Sequence, residues 1–224
     1  MMARYAIGDV HGCLLTLRAL LEEQIGITKT DLVIMLGDYV DRGPESRGVL
    51  DYLVSLQKNG YGLILLRGNH DDLIVRGRFS PYWSRVHRSN GGIVALWSFG
   101  VESHDQIPVA YCDLIDTMPL YYMADEYVCV HASLNVKRAD PYQDLEAMLW
   151  DRREDDDKDH EGRRVVCGHT PTQLDQIRER IDFGRKVILD NGCVYAGREG
   201  MGNLIALDLD HLTLHIQPNL DMTS

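Results

Sequence analysis

The stretch Val33 to Glu45, "VIMLGDYVDRGPE", decides the fold, because an apolar run ends in a glycine and charged side chains follow at once. The letters "VIML" are typical of a strand buried on both faces. Asp38, Asp41 and Arg42 then crowd into one turn. Folding alone requires neither two carboxylates nor a guanidinium there, so the turn is predicted to belong to a binding site.

The same pattern of a short apolar run followed by a polar turn recurs along the chain. It is found in "YAIGDVHG", "GLILLRGNHDD", "YVCVHAS", "RVVCGHT" and "KVILDNG". Helical patterns lie between the runs, at Leu14 to Gln24, at Ser46 to Lys58, and at Pro141 to Trp150 with Asp140 as the N-cap. The order through residue 70 is β-α-β-α-β, which favours a layered α/β sheet.

The remaining segments give a simple organisation. Residues 71–125 are predicted to form a mostly helical insertion, with no strand before Tyr127. The end of the chain, "NLIALDLDHLTLHIQ", is predicted to form a closing hairpin that turns near Asp210. The tryptophans Trp83 and Trp97 are expected to fill the core between the insertion and the sheet. The length of 224 residues fits one domain over residues 1–224.

Composition excludes several classes of protein. A formal net charge of −11 opposes a nucleic-acid partner. The apolar runs are far shorter than the ~20 residues that span a bilayer, and the N-terminus has no signal-peptide pattern, so no membrane association and a cytoplasmic location are expected. The cysteines include no C-x-x-C pair and are interpreted as buried reduced thiols. They are Cys13, Cys112, Cys129, Cys167 and Cys193.

Side chains that can bind metals follow five of the predicted strands. They are Asp9 and His11, Asp38 and Asp41, Asn69 and His70, His131, and His169. Each alone is a common turn residue, helix cap or structural histidine. Their joint occurrence predicts a site, because the carboxyl ends of strands form the ligand crevice of open α/β sheets.

This donor set predicts a metal type and a chemistry. Imidazole, carboxylate and amide ligands without thiolate suit manganese, iron or zinc. With at least six candidate ligands and one Asp able to bridge, two divalent cations are expected, manganese first. Such a pair activates water and clamps a displacement at phosphorus. Three arginines could supply the bidentate donors that phosphate needs: Arg42, Arg67 and Arg152.

The motifs "GDVHG", "GDYVDRG" and "RGNHD", with the later "VHA" and "GHT", resemble the signature of the PPP-type metallophosphatases of the calcineurin-like superfamily. The segments "NGG" at Asn90, "PLYY" at Pro119, "LWDR" at Leu149 and "LDNGCVYAG" at Leu189 resemble its small bacterial and phage-type members. Together, pattern and resemblance imply an α/β fold of two facing mixed β-sheets flanked by helices, over essentially the whole chain.

The resemblance also implies a role for each residue. Asp9, His11 and a bridging Asp38 would hold the first metal, and Asp38, Asn69, His131 and His169 the second. A metal-bridging hydroxide would attack phosphorus in line. His70, paired with Asp41, would protonate the leaving alkoxide, and Arg42, Arg67 and Arg152 would grip the phosphoryl oxygens. The chain departs from the family pattern at Asp71, Ser133 and Asn191 without losing a ligand.

Three functions follow as hypotheses. The first is a protein serine/threonine phosphatase, with phosphotyrosine as a further substrate class. The second is a hydrolase of nucleoside polyphosphates resembling the symmetrical diadenosine tetraphosphatases, in which Trp83 and Trp97 could stack on adenine. The third is a non-catalytic scaffold. The charged segment of residues 151–164 is interpreted as a solvated loop, with a mobile flap near the site as the alternative.

Overall fold

The structure, a computed structural model, describes residues 2–153, 157–159 and 161–222. The strands are β1 (Arg4–Ile7), β2 (Leu32–Met35), β3 (Gly62–Leu65), β4 (Tyr121–Ala124), β5 (Tyr127–Val130), β6 (Arg164–Cys167), β7 (Val187–Ile188), β8 (Asn203–Asp208) and β9 (Leu214–Pro218). The helices are α1 (Leu14–Arg18), α2 (Ser46–Lys58), α3 (Asn69–Phe79), α4 (Pro81–His87), α5 (Ile93–Ser98), α6 (Val109–Asp116), α7 (Leu145–Trp150) and α8 (Leu174–Asp182).

Two mixed sheets form the centre of the molecule. The first has the strand order β3-β2-β1-β8-β9, and the second has the order β4-β5-β6-β7. In the first sheet β1, β2 and β3 run parallel, whereas β8 and β9 pair antiparallel as the predicted closing hairpin. In the second sheet β5, β6 and β7 run parallel and β4 is antiparallel. The predicted α/β fold of two facing sheets flanked by helices is confirmed.

Side-chain alternation along the strands explains why the sheets face each other. Ala6 and Ile34 of the first sheet share one apolar cluster with Cys129 and Val166 of the second. Their chain neighbours point the opposite way, because successive side chains of a strand alternate between faces. Ile7, for example, packs in the cluster that contains the buried apolar residues of α1 and α2. Strands with helices or a second sheet on both faces need apolar residues throughout, as the sequence has.

Two local predictions were wrong. The interval before Tyr127 contains the strand β4, whose residues Tyr121–Ala124 pair with β5. The segment from Pro141 to Trp150 is not one helix: Asp140 caps a short 3₁₀ turn at Pro141–Gln143, and Asp144 caps α7 separately. Each Asp accepts a hydrogen bond from a backbone amide near the start of its element, so the two caps divide the segment.

The helices α4 to α6 and most of α3 lie within the predicted insertion. Trp97 on α5 is 71% exposed, so the expectation that it fills the core was wrong. Trp83 is half-buried, with the Arg76 guanidinium 4.9 Å from its ring centroid. All five cysteines are buried and unpaired. Among the described residues, no helix has both the length and the hydropathy that crossing a bilayer requires.

Candidate metal centre

Polar side chains follow six strand ends that meet at one edge of the two sheets. Glycines allow the close approach. A Cβ on Gly68 would lie 2.2 Å from Oδ1 of Asp38, and a Cβ on Gly168 would lie 2.0 Å from Oδ1 of Asp9. Such distances exclude any side chain at either position. The glycine that precedes Asn69 and the one that precedes His169 are therefore needed for assembly of the site.

The backbone of the site is strained. Seven described non-glycine residues have a positive φ, and five of them belong to the predicted site. These five are His11, Asp38, Asp41, Arg42 and His169. Each such conformation costs of order 1–3 kcal/mol and persists only where the surroundings impose it, typically at functional sites. The concentration of strain is an observation independent of residue type that also indicates a functional site.

Asp38 lies at the centre of the cluster. Ligand atoms of His11, Asp38 and His70 lie within 4.8 Å of one another, and so do those of Asp38, His131 and His169. All five side chains are buried. Asp38 alone belongs to both groups, which is the position that a bridging carboxylate between two cations would occupy.

The tautomers of two histidines are fixed by backbone carbonyls. His131 donates its Nδ1–H to Leu36 at 2.9 Å, which leaves a lone pair on Nε2. His169 donates its Nε2–H to Trp150 at 3.2 Å, which leaves a lone pair on Nδ1. Both lone pairs point to the amide oxygen of Asn69, each at 2.9 Å.

Three lone pairs thus converge with no proton between them, an arrangement that a cation stabilises. Neighbouring ligands of a six-coordinate cation, at bond lengths of about 2.1 Å, are themselves separated by about 3 Å. The donors of Asn69, His131 and His169 therefore fit a divalent metal in number, chemistry and spacing.

The tautomer of His11, on the other side of Asp38, is also fixed by a backbone carbonyl. It donates Nδ1–H to the carbonyl of Val40 at 2.8 Å, and its Nε2 lies 3.5 Å from Oδ2 of Asp38. Burial and the neighbouring Arg42 lower the pKa of His11 to about 3, and burial lowers that of His169 to about 3. Both imidazoles are consequently neutral at pH 7, as metal ligands must be.

Two further carboxylates crowd the centre. Burial raises the pKa of Asp9 well above its usual range, and the negative charges of Asp190 and Asp38 raise it further. Burial likewise raises the pKa of Asp190 to about 6. Burial alone would also raise the pKa of Asp38, but the surrounding imidazoles, His131 foremost, lower it overall. Bound cations would offset this repulsion among buried carboxylates.

His70 and Asp41 form a buried pair at the edge of the cluster. Nδ1 of His70 lies 2.6 Å from Oδ2 of Asp41. Burial opposes the charged imidazole, but Asp38 and Asp41 outweigh it and raise the pKa of His70. The predicted neighbours are thus in contact, and the imidazole is favoured in the form that can donate a proton.

The three predicted arginines have different surroundings. Arg42 reaches the cluster, where its guanidinium contacts Nε2 of His11 and, at 2.8 Å, Nε2 of His70. Arg152 is exposed. Its positive charge contributes to the lowered pKa of His169 and partly offsets the rise in the pKa of Asp190. Arg67 instead bonds the Asp116 carbonyl at 2.6 Å and Asp72 at 3.3 Å.

The chain matches one known family over most of its length. The family model described as calcineurin-like phosphoesterase matches residues 2–210. The chain belongs to this family. Members are metallophosphoesterases, and the buried imidazoles and carboxylates around Asp38 are groups that could hold metal ions.

Curated relatives of this phosphoesterase carry two kinds of name. Serine/threonine-protein phosphatase 1 of Salmonella typhimurium is 29% identical over 210 residues, which cover 87% of this chain and 88% of the relative. An asymmetrical bis(5'-nucleosyl)-tetraphosphatase of Anoxybacillus flavithermus is 28% identical and covers 86% of each chain. A symmetrical bis(5'-nucleosyl)-tetraphosphatase of Pseudomonas entomophila is 44% identical, but only over 70 residues, or 24% of its own length.

Solved structures share the fold. A protein serine/threonine phosphatase from Saccharomyces cerevisiae superposes with a TM-score of 0.67 at 15% identity, covering 100% of this chain and 82% of that one. A cold-active protein tyrosine phosphatase gives a TM-score of 0.64 at 16% identity and covers 99% and 81%. A provisionally assigned diadenosine tetraphosphatase gives 0.71 at 20% identity and covers 99% and 95%. At such identities the likeness concerns the fold alone.

Sequence reasoning missed several buried residues around the candidate site. Asp190 follows the run "KVIL" and is buried beside Asp9, so its position after a strand was the available signal. His87 and His104 are buried behind Asp41, and nothing in their sequence spacing indicated this. Lys186 is fully buried and donates to Ser133 Oγ and to the Arg153 carbonyl, each at 2.7 Å.

Two departures from the family pattern have structural partners. Ser133 accepts the Lys186 bond, which ties the loop after β5 to the segment that carries Arg153. Asn191 donates to the carbonyls of Thr172 and Gly200 at 2.9 and 2.8 Å and accepts from Asn203 at 2.7 Å. The hypothesis of a flap concerns residues 151–164, of which residues 154–156 and 160 lie outside the described residues.

Proposed function

We propose that this phosphoesterase hydrolyses phosphate monoesters on protein side chains, with phosphoserine, phosphothreonine and phosphotyrosine as the substrate classes. The observation that carries the proposal is the His70–Asp41 pair, which lies at the edge of a buried ligand cluster centred on Asp38. Monoesters of serine and threonine have poor leaving groups, and a positioned acid beside the reacting centre is what their hydrolysis needs.

The cations would be held in two groups that share Asp38. Asp9 and His11 would complete the first group, and Asn69, His131 and His169 the second. When bound, two divalent cations activate water and neutralise charge on the phosphoryl oxygens. Manganese is the proposed metal, with iron and zinc as alternatives, because the donors are imidazole, carboxylate and amide.

The protein's own side chains would bind the ester and move one proton. Arg42 would grip the phosphoryl oxygens, with Arg152 and Arg67 as the further candidates, because guanidinium donors match phosphate geometry. Once Arg42 moves from Nε2 of His70 to the phosphoryl oxygens, that nitrogen would be free to take up a proton from solvent. As the bond between phosphorus and the ester oxygen breaks, His70 would transfer this proton to the leaving oxygen. The oxygen of the attacking water remains in the inorganic phosphate, and Asp41 holds Nδ1–H throughout.

A second candidate substrate is a dinucleoside tetraphosphate. It is supported by the likeness, over 86% of each chain, to a protein named as an asymmetrical bis(5'-nucleosyl)-tetraphosphatase. The exposed ring of Trp97 also offers a surface on which a base could stack. The phosphoprotein proposal is preferred because the equally long likeness to a serine/threonine phosphatase agrees with an acid positioned for alkoxide departure.

The test is phosphate release by the manganese-loaded protein from a phosphoserine peptide, a phosphotyrosine peptide and diadenosine tetraphosphate, compared by kcat/KM. The Asp38→Asn variant, which should lose metal and phosphate release, serves as the control for contaminating phosphatases. Higher kcat/KM on either peptide supports the proposal. Higher kcat/KM on the dinucleotide makes the second candidate correct, and no turnover of any substrate favours a non-catalytic scaffold.

A further inference from the structure

Two buried histidines extend the His70–Asp41 pair away from the metal ligands. Nε2 of His87 lies 2.8 Å from Oδ1 of Asp41, the carboxylate oxygen that His70 does not use. Nδ1 of His87 lies 2.6 Å from Nε2 of His104, and Nδ1 of His104 lies 3.1 Å from Oγ of Ser84. His87 and His104 are 0% and 2% exposed.

The chemistry of the groups sets the direction of these hydrogen bonds. An ionised Asp41 can only accept, so His87 donates Nε2–H to it; in the neutral tautomer Nδ1 then keeps a lone pair. His104 must then donate Nε2–H to His87, and its own Nδ1 accepts from the hydroxyl of Ser84. Burial and the neighbouring His87 and Arg88 lower the pKa of His104 to about 4, in agreement with a neutral ring.

The fold provides space for both rings. A Cβ on Gly92 would lie 2.3 Å from Nδ1 of His87, and a Cβ on Gly77 would lie 2.4 Å from Cδ2 of His104. Both glycines are therefore required where imidazoles occupy the core. Burying polar rings is unfavourable unless each nitrogen is paired. Here all four ring nitrogens of His87 and His104 have partners. The series of hydrogen bonds ends on the carboxylate of Asp41, the partner of His70.

We propose that His87, held by His104, is a positioning residue that fixes the Asp41 carboxylate and thereby aims His70 at the leaving oxygen. This inference rests on the proposed function in that it takes His70 as the general acid. Asp41 is fully buried, so without His87 its Oδ1 would lose a charge-assisted hydrogen bond and the carboxylate could rotate. His87 and His104 exchange no proton with substrate: only His70 does.

The experiment compares a substrate with a poor leaving group, a phosphoserine peptide, with p-nitrophenyl phosphate, whose phenolate needs little protonation. The variants are His87→Phe, which keeps a ring but removes the donor, and His87→Gln, whose amide can donate to Asp41 and accept from His104. His215→Phe, on the edge strand β9, is the matched control and should match wild type.

In His87→Phe we expect kcat on the peptide to fall about 10–100-fold, the usual cost of removing a partner that orients a functional group. The loss on p-nitrophenyl phosphate should be about threefold or less, because that reaction depends little on the acid. His87→Gln should recover most of the rate lost on the peptide. A merely structural role would lower both rates together.

The same pair of substrates separates failure of this inference from failure of the proposed function. His70→Asn should show an even larger loss confined to the peptide. If it shows equal losses on both substrates, the assignment of His70 as the acid fails. If the rate loss in His70→Asn is confined to the peptide, while His87→Phe loses rate equally on both substrates, only the positioning role of His87 is overturned. Should His87→Phe not fold, His87→Asn, polar but too short to reach Asp41, must show the selective loss.

Discussion

Asp71 stabilises the turn that carries Asp38, because its Oδ2 accepts a hydrogen bond from the backbone amide of Asp38 at 2.8 Å. The same carboxylate accepts from the amides of Tyr39 and Gly68 at 3.0 and 2.9 Å. It is fully buried at the start of α3. One side chain thus joins the loop after β2 to the loop after β3, and both loops carry predicted metal ligands.

Replacing this carboxylate should destabilise the protein. In Asp71→Asn the amide nitrogen would face backbone N–H donors, and a buried donor left unpaired costs about 1–3 kcal/mol. We expect the free energy of unfolding, measured in urea on the metal-free protein, to fall by that amount. The exposed Asp113→Asn serves as the control, with a change within about 0.5 kcal/mol. Equal stability of Asp71→Asn and wild type would contradict the role of this carboxylate.

Arg42 and Arg67 should respond differently to truncation. Arg42 contacts His70 within the cluster, whereas Arg67 bonds Asp72 and the carbonyl of Asp116. A charge-assisted hydrogen bond to phosphate contributes about 1.5–3 kcal/mol, so Arg42→Ala should lower kcat/KM about 10–100-fold. Arg67→Ala should lower kcat/KM less and the unfolding midpoint more. Equal losses of kcat/KM would show that Arg67 also reaches the phosphoryl group.

Much of the architecture could be predicted because strands and ligands share one sequence pattern. Apolar runs fixed the strands, and the topology rule for parallel strands brought Asp9, Asp38 and Asn69 to one edge. The strand β4 was missed because "YYMA" is short, half-exposed and preceded by helical sequence. Its pairing with β5 depends on a hairpin turn at residues 125–126 that no glycine marks.

The parts of the site that escaped prediction depend on contacts between distant segments. His87 and Asp41 are 46 positions apart, and His104 joins them from a different element. No local periodicity records such a contact. The exposure of Trp97 was also unpredictable, because the sequence of α5 does not say which of its faces meets α2.

The pH dependence of stability should report the burial of His104. Its pKa is about 4 in the folded protein, against about 6.5 for an unfolded chain, because of burial and the neighbouring His87 and Arg88. As the pH falls below about 6.5 the unfolded state takes up the proton first, so the neutral ring's contribution is present above that pH and lost towards pH 4.

Urea unfolding of wild type and His104→Gln at pH 7.5, 6 and 5 tests this expectation. The glutamine does not titrate, so groups shared by the two proteins cancel in the difference. We expect the stability advantage of wild type to shrink as the pH falls through this window. An advantage that stays constant or grows would mean that His104 is accessible to protons in the folded state.

The most direct test of the dinuclear centre is the number of manganese ions that the protein retains after gel filtration, measured for wild type and Asp38→Asn. Because Asp38 is shared by both ligand groups, its replacement should disturb both cations. The account predicts about two ions per chain for wild type, and at most about one for Asp38→Asn with loss of phosphate release. Wild type without bound manganese, iron or zinc, or Asp38→Asn with full metal content and full activity, would contradict it.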